Sequence, residues 1–249
     1  VNPALIVTHN NLDLTKQCVE SLRNQDIPVD ILVVDNGSTD DTLDWCAEEG
    51  LQFISLGENT GFSRGMNVGL GMMFDTGRAD YCLCPGSDTI LPPFYYRSLL
   101  ELNLPVVSGV QDIEGHRVTL EDLTKAFPVQ PVRPNPDFSC LLWRKEPWLA
   151  LGGLDEAMVS YASDCDMHLR AHRAGIGMFH APHIPFFHYG SSTIKNAPPK
   201  EKRTLEMQAD ADRLAFAEKW GFEVGSPKYA DAFDPKFFGN YILNSPGAK

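Results

Sequence analysis

The chain opens on an apolar run, "ALIVTHN" (4–10), that breaks into polar residues. A short run of this kind predicts a buried parallel strand. "DLTKQCVESLRNQ" (13–25) places Leu14, Cys18, Val19 and Leu22 at helical spacing, which predicts a helix with Asp13 as its N-cap. The alternation then repeats. "DILVVDNGS" (30–38) predicts a second buried strand, and Asp40 and Asp41 open a short helix, where negative charge suits the N-terminal dipole. "LQFISLG" (51–57) predicts a third strand, "GFSRGMNVGLGMMFD" (61–75) a helix loosened by glycine, and "DYCLCP" (80–85) a fourth strand. Strands alternating with helices predict an α/β fold with a parallel sheet and crossover helices.

The middle of the chain is less regular. "LPVVSGVQD" (104–112) predicts another strand, and residues 113–137, with four prolines, predict a long loop or flexible insertion. Residues 137–153 read as a strand and then a short helix stopped by Gly152 and Gly153. "SDCDMHLRAHRAG" (163–175) predicts a helix with Gly175 past its end, and "IGMFHAP" (176–182) a strand. Residues 200–220 predict a long amphipathic helix, followed by a tail rich in aromatics and proline. No internal repeat and no clean linker divides the chain, so one domain spanning 1–249 is expected.

Composition narrows the functional classes. The chain has 249 residues, 43% hydrophobic and 22% charged, enough for a sizeable core. A net charge of −12 opposes nonspecific binding to nucleic acid or anionic membrane over most of the surface. No apolar run approaches the roughly 18–20 residues of a membrane span. No basic segment precedes an apolar one at the start, so no signal peptide is expected, and the expected location is cytoplasmic. Six cysteines, at 18, 46, 82, 84, 140 and 165, form no CxxC pair and fit neither a zinc module nor a disulfide scaffold. They read as buried, reduced thiols, with Cys82 and Cys84 on one face of a strand.

Ligands of open parallel sheets bind beyond the carboxyl ends of the strands. Three strands end there in polar sets: Thr8, His9 and Asn10; Asp35, Asn36 and Ser38; Gly86, Ser87 and Asp88. Asp35 could hydrogen-bond a nucleobase or ribose; alternatively Asp35 and Asn36 only make a turn. No GxGxxG follows the first strand and no P-loop lysine motif is present, so the phosphates of a ligand would need another counter-charge, most simply a divalent cation.

"VTHNN", "ILVVDNGSTDDT", "ENTGFSRGMNVGL", "GSDTILPP", "GGLDE" and "SDCDMHLRAHRAG" occur in this order. Together they resemble the family 2 glycosyltransferases, and among those the rhamnosyltransferase-like members. The "KWG" at 219–221 and the later "YADAFD" are similar to the tails of such enzymes. The resemblance runs from about residue 4 to about residue 235. It implies a GT-A fold: a Rossmann-like, mostly parallel sheet flanked by helices. A nucleotide-sugar-binding half (about 1–100) merges with an acceptor and catalytic half (about 101–190), followed by a C-terminal helix and tail (about 191–249). It also implies inverting transfer of a sugar from a nucleotide-diphosphate donor, taken here as a UDP- or dTDP-sugar. By motif, Thr8, Asn10, Asp35 and Asn36 are implied as base and ribose contacts. Asn59, Gly61, Arg64 and Asn67 resemble the second donor-binding segment, and Ser87 joins the donor set. Arg64 stands where many relatives carry a small residue, so either a phosphate contact or a solvated arginine is open.

The family's metal motif usually carries two acids, one residue apart. Here Gly86-Ser87-Asp88 keeps only the last. The resemblance implies that Asp88 holds Mn²⁺ or Mg²⁺ with the donor's diphosphate oxygens, helped by His188 of "IPFFHYG"; His183 is the nearby competitor. The family's base pattern, Glu-Asp-x-Asp at a helix start, reads Ser163-Asp164-Cys165-Asp166 here. Ser163 is a good N-cap, Asp164 keeps the position of the general base, and Asp166 is implied as a supporting or acceptor-orienting residue. The bland reading is that both acids merely suit a helix N-terminus. The favoured activity is therefore metal-assisted glycosyl transfer to an acceptor hydroxyl, with a saccharide or glycoconjugate favoured as acceptor. Two alternatives stay open. Gly86 and Ser163 both replace acids, so one is a degenerate nucleotide-sugar or glycan-binding protein. The other is a nucleotidyltransferase of related fold, against which "THNNLDLTKQ" lacks a glycine-rich basic loop.

Overall fold

The computed structural model describes residues 2–111, 129–132, 138–190, 195 and 197–233. Most of the expected proline-rich loop and the end of the aromatic tail lie outside the described residues. Strand β1 (Asn2–Thr8), helix α1 (Leu12–Arg23), β2 (Val29–Asp35), α2 (Thr42–Glu48), β3 (Gln52–Ser55), α3 (Phe62–Asp75) and β4 (Tyr81–Pro85) follow the expected alternation. Then come β5 (Thr89–Ile90), α4 (Tyr95–Glu101), β6 (Val106–Gln111), β7 (Gln130–Pro131), β8 (Cys140–Arg144) and α5 (Lys145–Leu151). The last elements are α6 (Ser163–Arg173), β9 (Met178–His188), α7 (Pro199–Trp220) and α8 (Pro227–Asp231).

The strands form one sheet in the order β3-β2-β1-β4-β8-β6-β9-β5, with β7 beside β9. The β3-β2-β1-β4 portion is parallel. Beyond it, β8 runs antiparallel to both β4 and β6, while β6 and β9 are parallel. Chain order reverses between β1 and β4: after β3 the chain crosses back through α3 to the other side of β1. That reversal opens a crevice beyond Thr8 and Pro85, where open sheets of this kind bind ligands.

The apolar runs are explained by coverage on both faces. Ala4, Ile6, Ile31, Val33 and Leu83 point to one face and pack with Cys18, Val19 and Leu22 of α1 and Tyr95, Tyr96 and Leu99 of α4. Their alternates Leu5, Leu32, Val34, Cys82 and Cys84 meet Met66, Leu70, Met73 and Phe74 of α3, with Trp148 and Met167, on the other. Cys82 and Cys84 thus share a face, as expected. A third cluster, of Met158, Leu169, Phe216, Tyr229 and Phe233, joins α6, α7 and α8. No helix among the described residues is long and apolar enough to cross a membrane.

Two expected caps differ. Helix α1 starts one residue before Asp13, with Asn11 in the left-handed conformation as N-cap and no side-chain capping bond. Helix α6 has Ala162 at its N-cap, also left-handed (φ 57°), so Ser163 is already its first helical residue.

Candidate active site

A cavity of about 470 Å³ lies at the reversal. The ends of β1 and β4 supply Thr8, His9, Gly86, Ser87 and Asp88, and the β2 and β3 loops supply Asn36 and Asn59. The other wall is Ser160 to Asp164, with His188, Ser139 and Phe138; Phe62 of α3 and Leu205 of α7 add apolar surface. The expected base, the expected metal pair and part of the expected donor set therefore share one cavity. A wider hollow of about 640 Å³ opens beside it, between Asn11–Leu14, Asp40, Asp41, Tyr189 and Lys195. Its three carboxylates, Asp13, Asp40 and Asp41, oppose a diphosphate there.

Asp88 and His188 meet because β5 pairs antiparallel with the end of β9, placing Thr89 opposite His188. The His188 Nε2 atom lies 3.1 Å from Asp88 Oδ1. The other ring nitrogen lies 2.9 Å from the Ser139 hydroxyl, which can donate or accept. Ser139 can thus fix the ring in either tautomer, including the one that leaves Nε2 bare for a cation. His183 does not line the cavity, and burial pushes its imidazole pKa down. Among the described residues, no group of three or more His, Cys, Asp or Glu side chains is placed to hold a metal. One carboxylate oxygen and one imidazole nitrogen, open to a cavity, suit Mn²⁺ or Mg²⁺ only if a ligand's own oxygens and water complete the shell. The donor set fits a cation that arrives with a diphosphate.

Asp164 and Asp166 part company on α6. Two residues along a helix is a turn of roughly 200°, so the carboxylates leave on opposite sides. Asp164 lines the cavity, and one of its oxygens accepts the Cys165 N–H at 2.8 Å. Asp166 is 0% exposed and faces away. It accepts Arg170 Nε at 2.7 Å, Trp220 Nε1 at 2.9 Å and Lys219 Nζ at 2.7 Å. In this geometry Asp166, implied as a supporting or acceptor-orienting residue, is turned away from the cavity and staples α6 to the end of α7. The "KWG" motif supplies two of its three donors.

The donor segment also divides. Thr8 lines the cavity, buried, its hydroxyl 2.8 Å from that of Thr15. Asn36 and Asn59 line it too, but their amides are engaged with each other and with the loop: Asn36 donates to Asn59 and accepts from Thr60 N–H, and Asn59 accepts from Gly61 N–H. Asp35, implied as a base or ribose contact, is 0% exposed, and both its oxygens accept the Ser38 N–H. As placed, it makes the turn and does not line the cavity. Asn10 likewise ties loops together, accepting Thr39 N–H while its own N–H donates to Ser38 Oγ.

Three expected donor contacts belong to the interface with residues 154–159 instead. Gly61 has φ 90°, and a Cβ there would lie 2.1 Å from Val159 Cγ1. Only glycine permits that approach and that backbone. Asn67 donates to the Leu154 carbonyl and accepts the Leu154 N–H. Arg64 pairs with Glu156 at 3.1 Å on the exterior. The Asn67 amide, with Arg64 beside it, holds the Glu156 carboxyl below its usual range. Arg64 and Asn67 therefore dock "GGLDE" onto α3, and neither lines the cavity.

All six cysteines are buried, and none is in a disulfide. Burial pushes Cys18, beneath the cavity floor, up to about 12; burial and then the Asp164 charge do the same for Cys165. Both stay neutral thiols, so neither offers a thiolate nucleophile to the cavity. Sequence reasoning missed Ser139, Tyr161 and Leu205 on the cavity wall, and Asp212 behind it. Asp212 carries a legible signal: a carboxylate on the buried stripe Ala209, Asp212, Phe216 of a long helix must find partners.

Comparison with known proteins bears on this arrangement. Residues 4–103 match the family model described as glycosyl transferase family 2. No curated protein sequence matches the chain. Among solved structures, S. aureus TarS is 17% identical with a TM-score of 0.59, covering 95% of this chain; this chain spans 50% of TarS. TarS 1–349 in complex with UDP is 16% identical, TM-score 0.60, covering 97% of this chain and 78% of that one. A mannosyltransferase from Pyrobaculum calidifontis, solved with GDP-Man and Mn²⁺, is 17% identical, TM-score 0.56, covering 98% of this chain and 81% of that one. The chain thus has a mixed α/β fold that matches glycosyltransferase structures of the GT-A type, and its first part, residues 4–103, is similar to glycosyl transferase family 2.

Proposed function

We propose that the chain is an inverting glycosyltransferase that moves a sugar from a UDP- or dTDP-sugar to an acceptor hydroxyl, with Asp164 as general base. The observation that carries this reading is that Asp88, His188 and Asp164 line one cavity with the ends of β1 and β4. The structural neighbours, solved with UDP, UDP-GlcNAc and GDP-Man, support a nucleotide-sugar donor. The six motifs quoted above support the rhamnosyltransferase-like branch, and a saccharide or glycoconjugate acceptor goes with it. The chain would act as one GT-A unit.

Thr8, Asn36, Asn59 and Ser87 line the side of the cavity that would take the nucleotide. Asp88 and His188 would hold a divalent cation, Mn²⁺ or Mg²⁺, which supplies counter-charge to the diphosphate. Asp164 takes the proton of the acceptor hydroxyl. That oxygen then bonds to the anomeric carbon from the face opposite the leaving group, while the bond from that carbon to the diphosphate oxygen breaks and its electron pair leaves with the nucleoside diphosphate. Phe62, Phe138 and Leu205 add apolar surface to the same space.

The test is a panel of UDP-, dTDP- and GDP-sugars scored by thermal shift with and without Mn²⁺, followed by transfer or donor hydrolysis. A donor of the first two classes should stabilise the protein more with Mn²⁺ than without. Asp88→Ala should abolish that difference and His188→Ala should weaken it. Binding without any turnover would put the degenerate binding protein ahead. Tight Mn²⁺ binding in the absence of nucleotide would contradict the two-ligand site.

A further inference from the structure

The catalytic wall of the cavity is irregular backbone, and its order needs a cause. Ser160 and Tyr161 line the cavity, Ala162 takes a left-handed conformation, and Asp164 follows one residue into α6. A non-glycine residue held there is strained and persists only where its surroundings impose it. On one side α3 imposes it: Ser63 N–H donates to the Val159 carbonyl at 3.0 Å. On the other side a single carboxylate does. Asp212 accepts the N–H groups of three consecutive residues, Val159 at 2.9 Å, Ser160 at 2.8 Å and Tyr161 at 2.8 Å. Gln208, one turn earlier on α7, donates to the same carboxylate at 2.8 Å. Asp212 is 0% exposed and does not reach the cavity.

A fold that needed only to bury α7 would place an apolar residue at this point of the stripe. A buried carboxylate is retained at a cost unless its hydrogen bonds are satisfied, and here they are satisfied by the loop that carries the cavity wall. Two turns earlier on the same face, Leu205 lines the cavity directly. Helix α7 therefore touches the cavity and holds the loop beside it.

We infer that Asp212 is a positioning residue for the transfer reaction: it fixes the backbone of Val159–Tyr161 so that Asp164 and Tyr161 stand in the cavity at one geometry. This rests on the glycosyltransferase reading for its kinetic arm only. An amide in place of the carboxylate presents one acceptor oxygen and an NH₂ group toward three N–H donors, so at least one donor loses its partner. The donor-binding ends of β1 and β4 make none of these contacts.

The test compares the full chain with Asp212→Asn, Asp212→Glu and, as a control on the exposed face of α7, Asp210→Asn. Hydrogen exchange read at the amides of residues 159–161, without ligand, needs no turnover. Those amides should be protected in the wild type and in Asp210→Asn, and exchange at least tenfold faster in Asp212→Asn, while the amides of β1 and β4 keep wild-type rates. With the donor the panel identifies, Asp212→Asn should lower kcat by 10–100-fold with the nucleotide Kd within twofold, and Asp212→Glu should recover part of kcat. A uniform rise in exchange across the molecule, or a kcat per folded molecule equal to wild type, would overturn the inference and leave Asp212 merely structural. Should the wild type show no turnover with any donor, the proposed function fails, while the exchange result still decides whether Asp212 orders the loop.

Discussion

Replacing Asp166 by asparagine should damage the fold and leave the chemistry largely intact. The change keeps side-chain size, so no cavity opens. It removes the negative charge that meets Arg170 at 2.7 Å and Lys219 at 2.7 Å at a fully buried position. Breaking a buried pair by removing one partner costs about 3–5 kcal/mol. Two features lower that figure here. Arg170 keeps the carbonyls of Leu151 and Gly153, at 2.6 and 2.9 Å, and Lys219 keeps Asp155 at 2.7 Å. Asparagine can still accept the Trp220 N–H. The expected loss is therefore about 2–4 kcal/mol, or a fall in Tm of roughly 5–15 °C for a domain of this size. Urea unfolding followed by circular dichroism measures it, with turnover assayed well below the new Tm. If Asp166→Asn unfolds with the wild type yet loses turnover more than 100-fold, the assignment of Asp166 as a staple is refuted and it belongs among the catalytic groups.

Asp164→Asn should do the opposite: wild-type unfolding and nucleotide affinity, with turnover lowered by roughly 10²–10⁴-fold, read in the transfer or hydrolysis assay. Gly61→Ala should destabilise by about 2–4 kcal/mol in the same urea measurement, because the added Cβ has no room against Val159 and the backbone has positive φ; a neutral result would mean that the loop does not approach α3 so closely. Burial, and then the neighbouring His172, pushes the His168 imidazole down to about 3 from an ordinary value of 6.5. The unfolded chain therefore takes up a proton at His168 that the native state refuses, so stability should be unaffected above pH 6.5 and fall between about 6.5 and 3, by up to roughly 1.4 kcal/mol per pH unit. His168→Gln should flatten that part of the difference between unfolding at pH 7.5 and pH 5.5, and an unchanged pH dependence would count against it.

The sequence by itself determined the first half of the fold and pointed to the cavity of the candidate site. Continuous apolar runs of four or five residues mark β1, β2 and β4 as strands covered on both faces, and polar residues at their ends mark where a parallel sheet opens, because both signals are local. It also singled out Asp88, His188 and Asp164, which do share a cavity. Only the tertiary structure decided the rest. Asp164 and Asp166 look equivalent along the chain, but the helix turns one toward the cavity and the other toward Lys219 and Trp220, more than fifty residues away. Arg64 and Asn67 sit in a donor-like motif, yet they bind residues 154–156, which reach them only through the folded sheet. Asp35 ends a strand like a ligand contact, and its carboxylate is taken by the turn three residues later. Asp212 lies outside every motif, and its partners are backbone N–H groups, which every sequence has and no sequence pattern can mark. Which polar group is free to act depends on which others are already satisfied, and that is settled by long-range packing.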